Sequence, residues 1–305
     1  MRTSKVRAAI ELLPGQVIAS FGRTYRVELA NGLQVECATR GKRSDVACGD
    51  RVQIQHSGDN SGVIDSILPR VSLLYRSDAH RQKLIAANVT QVLIVVAPIP
   101  SFYDDLISRC LAACEHANIR ARILLNKTDL AEASLASAAL DIYRQLGYSV
   151  LSLSAKQSIA ALQEALQNEV SVLVGQSGMG KSTIVNQLAP EARLRVAETS
   201  LALDSGRHTT TGARLLHINE ATDLIDSPGL QSFGLHHLDQ QETAHAFVEF
   251  RPWLGQCRFR DCTHRTEPGC AIQAACLEQK ISTVRIQSYR TLIEELLRAK
   301  AHRFD

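Results

Sequence analysis

Four short motifs occur in this sequence in an order that fixes which strands must lie side by side. Asn126-Lys127-Thr128-Asp129 comes first and Ser154-Ala155-Lys156 second. Gly175-Gln176-Ser177-Gly178-Met179-Gly180-Lys181-Ser182 is third, and Asp226-Ser227-Pro228-Gly229 is last. The third fits G-x-x-x-x-G-K-[ST] and follows the apolar run Val170-Ser171-Val172-Leu173-Val174. That run reads as a buried parallel strand, and residues 182–188 read as the start of a helix. Glycines at 175, 178 and 180 let the backbone wrap a phosphate, and the helix N-terminus presents N–H groups to the anion. In such a loop Lys181 reaches the β- and γ-phosphates and Ser182 binds Mg²⁺, with Thr183 next in the helix.

Asn126-Lys127-Thr128-Asp129 follows another apolar strand, Ala121-Arg122-Ile123-Leu124-Leu125. A carboxylate at Asp129 accepts both the ring N1–H and the exocyclic amine of guanine. Adenine offers no such pair and would leave the carboxylate unpartnered in a closed site. Ser154-Ala155-Lys156 follows the strand-like residues 150–153 and closes over the base edge. Asp226 ends the run Asp223-Leu224-Ile225, a position suited to Mg²⁺ held through water, and the Gly229 N–H meets the γ-phosphate. Between these lies Gly206-Arg207-His208-Thr209-Thr210-Thr211, a polar switch stretch. Thr210 is the favoured Mg²⁺ ligand, with Thr209 and Thr211 as alternatives. A Ras-like GTPase begins with the phosphate loop and ends with the guanine motifs. Here the same set is rotated, so the chain enters and leaves the nucleotide domain elsewhere.

The chain of 305 residues is long enough for two or three domains. A formal charge of +3 is too small to argue by itself for a nucleic-acid partner. Charge distribution says more. Arg40, Lys42, Arg43 and Arg51 form one group, and Arg70, Arg76, Arg81 and Lys83 follow; Arg251, Arg258, Arg260 and Arg265 form another. Each is either a binding face or an ordinary solvated one. Residues 1–71 read as all-β, with short strands at 16–19, 25–29, 33–37, 49–54 and 62–67 and an Asn31-Gly32 hairpin signal. This pattern fits a small OB-like barrel of the kind that binds single-stranded nucleic acid, with an SH3-like barrel as the other option. Residues 72–233 alternate strands and helices, which implies a parallel sheet covered on both faces. No run approaches the ~18 apolar residues of a membrane span, and the N-terminus lacks a secretory h-region. The chain reads as cytoplasmic, monomeric and without a membrane partner.

Residues 234–305 read as mainly helical around Cys257-x4-Cys262-x-His264-x5-Cys270. Three thiols and an imidazole in this compass suit tetrahedral zinc, although the spacing departs from C-x2-C and leaves a stray cluster open. Four protein ligands leave no position for catalytic water, so the metal is structural. Cys276 falls in a helical stretch and is left out of the set, and Cys37, Cys48, Cys110 and Cys114 read as reduced structural thiols.

The rotated order, the Gly-Arg-His-Thr-Thr-Thr switch, the barrel and the Cys-Cys-His-Cys spacing together resemble the small ribosomal subunit biogenesis GTPases of the RsgA type. The resemblance covers nearly the whole chain, with Ser227 in place of the usual threonine. It implies zinc at the four C-terminal residues. It implies binding to the maturing small (30S) ribosomal subunit and its rRNA, late assembly, and GTPase activity stimulated by that particle. One departure from Ras matters for the chemistry. Leu230 stands where Ras-like enzymes carry the water-orienting glutamine, with Gln231 one position out of register. Intrinsic hydrolysis is therefore expected to be slow, with His208 as the resident candidate to position water. Gly178 stands where potassium-activated relatives carry asparagine, so the loop gives no support to potassium dependence. The rival readings are a metabolic NTPase or kinase, which would need an acceptor site, and an RNA-binding scaffold with a silent nucleotide site.

Overall fold

The computed structural model describes residues 11–41, 45–58, 60–77, 82–190, 212–227 and 234–301. The first five strands are β1 (Leu12–Phe21), β2 (Thr24–Leu29), β3 (Gln34–Thr39), β4 (Arg51–His56) and β5 (Ser61–Ile67). They pair in the order β1-β2-β3-β5-β4, and β4 closes back on β1. The β3–β5 pair is parallel and the other pairs are antiparallel. This closure is OB-like and decides between the two barrels left open above. Alternation produces it: in β3, Val35 and Cys37 point inward while Gln34, Glu36 and Ala38 are exposed. Val17, Val27, Val52, Ile54 and Ile64 complete a barrel core separate from the rest of the molecule. The Asn31-Gly32 hairpin forms as expected, with the Asn31 carboxamide accepting from the Leu33 N–H at 3.0 Å.

A hairpin of β6 (Leu73–Ser77) and β7 (Gln82–Ala87) links the barrel to the α/β sheet. That sheet contains β8 (Gln91–Val96), β9 (Arg120–Leu125), β10 (Ser149–Ser152), β11 (Val170–Val174), β12 (Arg214–Asn219) and β13 (Thr222–Asp226). Its order is β10-β9-β8-β11-β13-β12, parallel except for the antiparallel β12. β8 is buried along its whole length, and its residues alternate between two cores. Val92, Ile94 and Val96 face one, which contains helix α1 (Asp104–His116) and, through Leu140 and Tyr143, the short helices α2 (Ala133–Ala139) and α3 (Asp141–Gln145). Leu93 and Val95 face the other, with α4 (Ala160–Leu166) and α5 (Lys181–Leu188). Burial on both faces is what makes these strands read as continuous apolar runs.

The C-terminal region comprises α6 (Gln240–Ala246), a 3-10 turn (Val248–Trp253), α7 (Ala271–Leu277) and α8 (Thr283–Ala301). The sequence suggests one helix over 240–249; α6 stops at Ala246 because Phe247 is extended and Pro252 cannot continue an α-helical ladder. Phe247, Phe250, Tyr289 and Leu292 join the same core as α1 and the sheet. Arg109 of α1 reaches both oxygens of Glu295 on α8, at 2.6 and 2.7 Å, and Arg251 reaches Glu115 at 2.7 Å. The C-terminal helices are therefore packed onto the α/β sheet rather than tethered to it.

The barrel meets the sheet at the β1–β12 seam and at the loop before β4. Ile18 and Cys48 enter the sheet's core, the Ala87 N–H donates to the Cys48 carbonyl at 2.8 Å and Asn88 Nδ2 donates to the Gly49 carbonyl at 2.9 Å. Ala19 of β1 pairs with Arg214 of β12, and the Ser20 N–H donates to the Ala213 carbonyl at 3.2 Å. Below it, Arg70 donates to both oxygens of the buried Asp50 at 2.6 and 2.7 Å.

Candidate nucleotide and metal sites

Strand register brings the dispersed motifs to one edge of the sheet. Leu173 of β11 lies opposite Asp226 of β13, Val96 of β8 opposite Leu125 of β9, and Leu125 opposite Ser152 of β10. The phosphate loop, Asp226, Asn126 and Ser154 thus all emerge at the carboxyl ends of neighbouring parallel strands, where α/β sheets hold ligands.

Asn126 ties three of these segments together. It is 2% exposed. Its Nδ2 donates to the Met179 carbonyl at 3.0 Å, and its Oδ1 accepts from the Ala155 N–H at 3.0 Å. Gly180 has φ +92°, and a Cβ there would fall 2.2 Å from Asn126 Nδ2, so the contact requires glycine on two counts. Lys127 lies across the loop and donates to Gly178 O at 2.6 Å and Ile99 O at 2.7 Å. Thr128 N–H donates to Leu153 O at 3.3 Å. Asp129 stays exposed. The Ser154 hydroxyl, then its own amide and the charges of Lys156 and Lys127, hold its carboxyl below the usual range. It is therefore ionised and open to a ligand, as a receiver of two N–H donors must be.

Lys181 begins α5, and its ammonium donates to Gly175 O and Gln176 O, both at 2.6 Å. Burial lowers its pKa, opposed by the charge of Asp226. Asp226 shifts the opposite way: burial raises its carboxyl, while Lys181 and Arg214 pull it back. The two groups are close enough to sense each other across the phosphate loop. Ser182 is exposed at the helix start and Ser177 at the loop's crest. A hydroxyl and a carboxylate are hard oxygen donors, which fit Mg²⁺. His208, Thr209, Thr210, Thr211, Gly229, Leu230 and Gln231 lie outside the described residues.

At the other end of the molecule Cys257, Cys262, His264 and Cys270 bring their ligand atoms within 4.8 Å of one another. Cys257 Sγ to Cys270 Sγ is 3.9 Å, Cys257 Sγ to His264 Nδ1 is 3.5 Å, and His264 Nδ1 to Cys270 Sγ is 3.4 Å. Tetrahedral zinc, with Zn–S near ~2.3 Å and Zn–N near ~2.0 Å, needs edges of about 3.4 to 3.8 Å. The donor set therefore fits one structural zinc, and Cys276 is not among the clustered donors. The His264 ring lies 6.1 Å from Tyr289 and 6.5 Å from Phe250, so the metal loop rests on the aromatic core shared with the sheet.

Sequence reading missed two contributors, Glu267 and Arg214, and the contact made by one loop residue it did name, Gln176. Glu267 clasps the metal loop: it accepts from the Thr263 N–H and hydroxyl, the Arg265 N–H and the Thr266 N–H. Burial opposes its ionisation, but these hydrogen bonds prevail and hold it at about 2. Gln176 accepts from the Tyr103 N–H at 3.1 Å, which joins the phosphate loop to the start of α1. Arg214 stands beside Asp226 at the seam. Only Glu267 had a local signal, its place between His264 and Cys270. The basic groups need revision as well. Arg70 is spent on Asp50, Arg40 on Gln55 and Asp65, and Arg251 on Glu115; Lys42, Arg43 and Arg81 lie outside the described residues. A cleft of about 1060 Å³ between α6 and the metal loop shares no residue with the nucleotide motifs.

Sheet order, motif edge and helix-borne phosphate loop define a P-loop GTPase whose chain is circularly permuted. The RsgA GTPase family model matches residues 67–236. The chain is 50% identical over 285 residues to a small ribosomal subunit biogenesis GTPase RsgA of Nitrosospira multiformis, covering 93% of this chain and 91% of that one. It is 50% identical over 281 residues to the same-named protein of Neisseria meningitidis serogroup C, covering 92% of each. The crystal structure of YjeQ from Thermotoga maritima superposes with a TM-score of 0.71 at 29% identity, covering 94% of this chain and 99% of that one. YloQ, described as a circularly permuted GTPase, superposes at 0.67 with 25% identity, covering 96% and 98%. The chain belongs to the RsgA family and is a GTPase. Family membership decides against the metabolic kinase and the silent scaffold.

Proposed function

We infer that this chain is a GTP-hydrolysing switch that acts on the small ribosomal subunit during its late maturation. The names of its half-identical relatives support the assembly role. The observation that carries the switch is the single edge on which Asn126 bridges the phosphate loop to Ala155. On this reading Asp129 pairs with guanine, while Asn126, Lys127, Thr128 and residues 154–156 shape the base pocket. Residues 175–183 wrap the phosphates with their N–H groups. Mg²⁺ bound with the nucleotide neutralises phosphate charge. Ser182, Thr210 and Asp226 are the residues assigned to hold it. Lys181 faces the β- and γ-phosphates, the Gly229 N–H reads the γ-phosphate, and His208 orients the attacking water.

The barrel supplies the rRNA contact on this reading, supported by its OB-like closure. The domains are assigned as barrel 1–71, GTPase 72–233 and zinc region 234–305. A monomer working in the cytoplasm, where the particle is assembled, completes it. Among the described residues no helix is long and apolar enough to cross a membrane. Phosphate release measured with and without purified small subunits tests the proposal. Turnover well below ~1 s⁻¹ alone and a rise of ~10³-fold or more with subunits is expected. Equal rates in the two conditions refute stimulation by the subunit.

A further inference from the structure

Arg214 is the first residue of β12 and stands directly opposite Asp226 in the antiparallel ladder with β13. Directly opposed residues project to the same face of a sheet, so both side chains point to the nucleotide side. On its other edge Arg214 pairs with Ala19 of the barrel. Its guanidinium carbon lies 5.6 Å from the centre of the Phe21 ring, and Arg26 of the barrel lies 5.8 Å from the same ring. Two like charges share one aromatic platform; burial and the charge of Arg26 disfavour the Arg214 cation, and the charge of Asp226 favours it. Arg214 Nε is buried and donates to no protein group among the described residues. A buried, unpaired donor is costly, and such groups persist where a function requires them.

We propose that Arg214 is a positioning residue of the hydrolytic site, seated by Phe21, through which the barrel's hold on the sheet sets the orientation of the Asp226 carboxylate. The proposal rests on Asp226 being the carboxylate of the Mg²⁺ site. In hydrolysis the water oxygen bonds to the γ-phosphorus while the bond to the bridging oxygen breaks. The electron pair leaves on GDP, and the water's proton ends on the released phosphate. A cation on the neighbouring strand favours the ionised form of that carboxylate and its aim as charge moves. Lysine does not replace it fully, because a compact ammonium stacks poorly on Phe21. The seam also explains Gly212. A Cβ there would sit 1.8 Å from the Ser20 carbonyl oxygen, so any side chain forces β12 off β1.

The test compares Arg214→Gln, Arg214→Lys, Phe21→Ala and Gly212→Ala in the full chain. Three quantities are read: phosphate release with small subunits, fluorescent-GDP affinity, and hydrogen exchange at the Ser20 amide. Arg214→Gln is expected to lower kcat by ~10- to 100-fold, the usual effect of a residue behind a metal ligand. GDP affinity should stay within about twofold and Ser20 should remain protected. Arg214→Lys should recover part of the loss. Phe21→Ala should lower kcat as well and be non-additive with Arg214→Gln. Gly212→Ala should expose Ser20 to exchange and lower kcat with Arg214 intact. Unchanged kcat in Arg214→Gln overturns the proposal, and so does a loss matched by weaker GDP binding and an open seam. If Asp226→Asn also hydrolyses normally, the assignment of the Mg²⁺ site has failed instead.

Discussion

Chemistry in this site is carried by single residues whose neighbours are local in sequence, and those are the ones that the sequence reveals. Asp129 is assigned from its motif, the strand before it and Ser154-Ala155-Lys156 after the next strand. Its exposed, ionised carboxylate beside Ser154 carries an expected outcome. Asp129→Asn should weaken GTP and GDP binding by about 10³- to 10⁴-fold and shift preference to xanthine nucleotides, whose extra carbonyl suits an amide donor. Calorimetry with GTP, ATP and xanthosine triphosphate decides it; equal GTP and ATP affinities in the unmodified chain would remove the basis for the guanine assignment. Arg214 was not legible by the same means. Its meaning comes from lying opposite Asp226 twelve positions later and from a phenylalanine almost two hundred residues earlier, and no spacing rule encodes either contact.

Elements were legible where burial imposes a period. The β8, β9 and β11 runs are apolar because both sheet faces are covered, and the barrel strands alternate because one face is wet. The β6–β7 hairpin was missed because polar residues break its alternation, and the β1–β12 seam because it joins two units that each read as complete. That seam has a second polar clasp. His217 of β12 contacts Asp223 at 2.7 Å and Glu28 of β2 at 3.0 Å. The bond to Asp223 raises the histidine's pKa, burial opposes it, and the charges of Asp223 and Glu28 add to the rise. A raised folded pKa means that the stabilisation is complete below ~6.5, the unfolded value, and fades as pH rises through the folded one. Hydrogen exchange at β12 should therefore quicken as pH rises above ~6.5, beyond its intrinsic chemical trend. His217→Gln should flatten that excess; if it persists in the variant, another group holds the clasp.

At the scale of the whole molecule the C-terminal helices and the GTPase sheet form one body. Phe247, Phe250 and Tyr289 belong to the core under α1, and His264 stacks at its margin. Loss of zinc should therefore be felt beyond its own loop. Cys262→Ser is expected to release the metal, read by elemental analysis, and to lower the melting temperature reported by the α1 side of the sheet as well. A variant that loses zinc yet melts like the parent would show that the four residues do not hold a structural metal. The shared core also limits what the nucleotide can move. Reorienting the zinc region against the sheet would break the bidentate Arg109–Glu295 pair and open buried aromatic surface. The barrel keeps a core of its own and joins the sheet through the β1–β12 seam and the packing of Ile18, Cys48 and Gly49. Among the described residues no buried aromatic cluster lies between them, so a γ-phosphate signal has less to break there than in the zinc region. Binding to purified small subunits should therefore differ between GDP and a non-hydrolysable GTP analogue, at one salt concentration because phosphate contacts are salt-dependent. The difference should shrink in Gly212→Ala, which parts the seam while leaving Lys181 and Asp129 in place. Identical affinities in both nucleotide states would leave the barrel a passive RNA anchor, and a full difference persisting in Gly212→Ala would place the signal's route elsewhere.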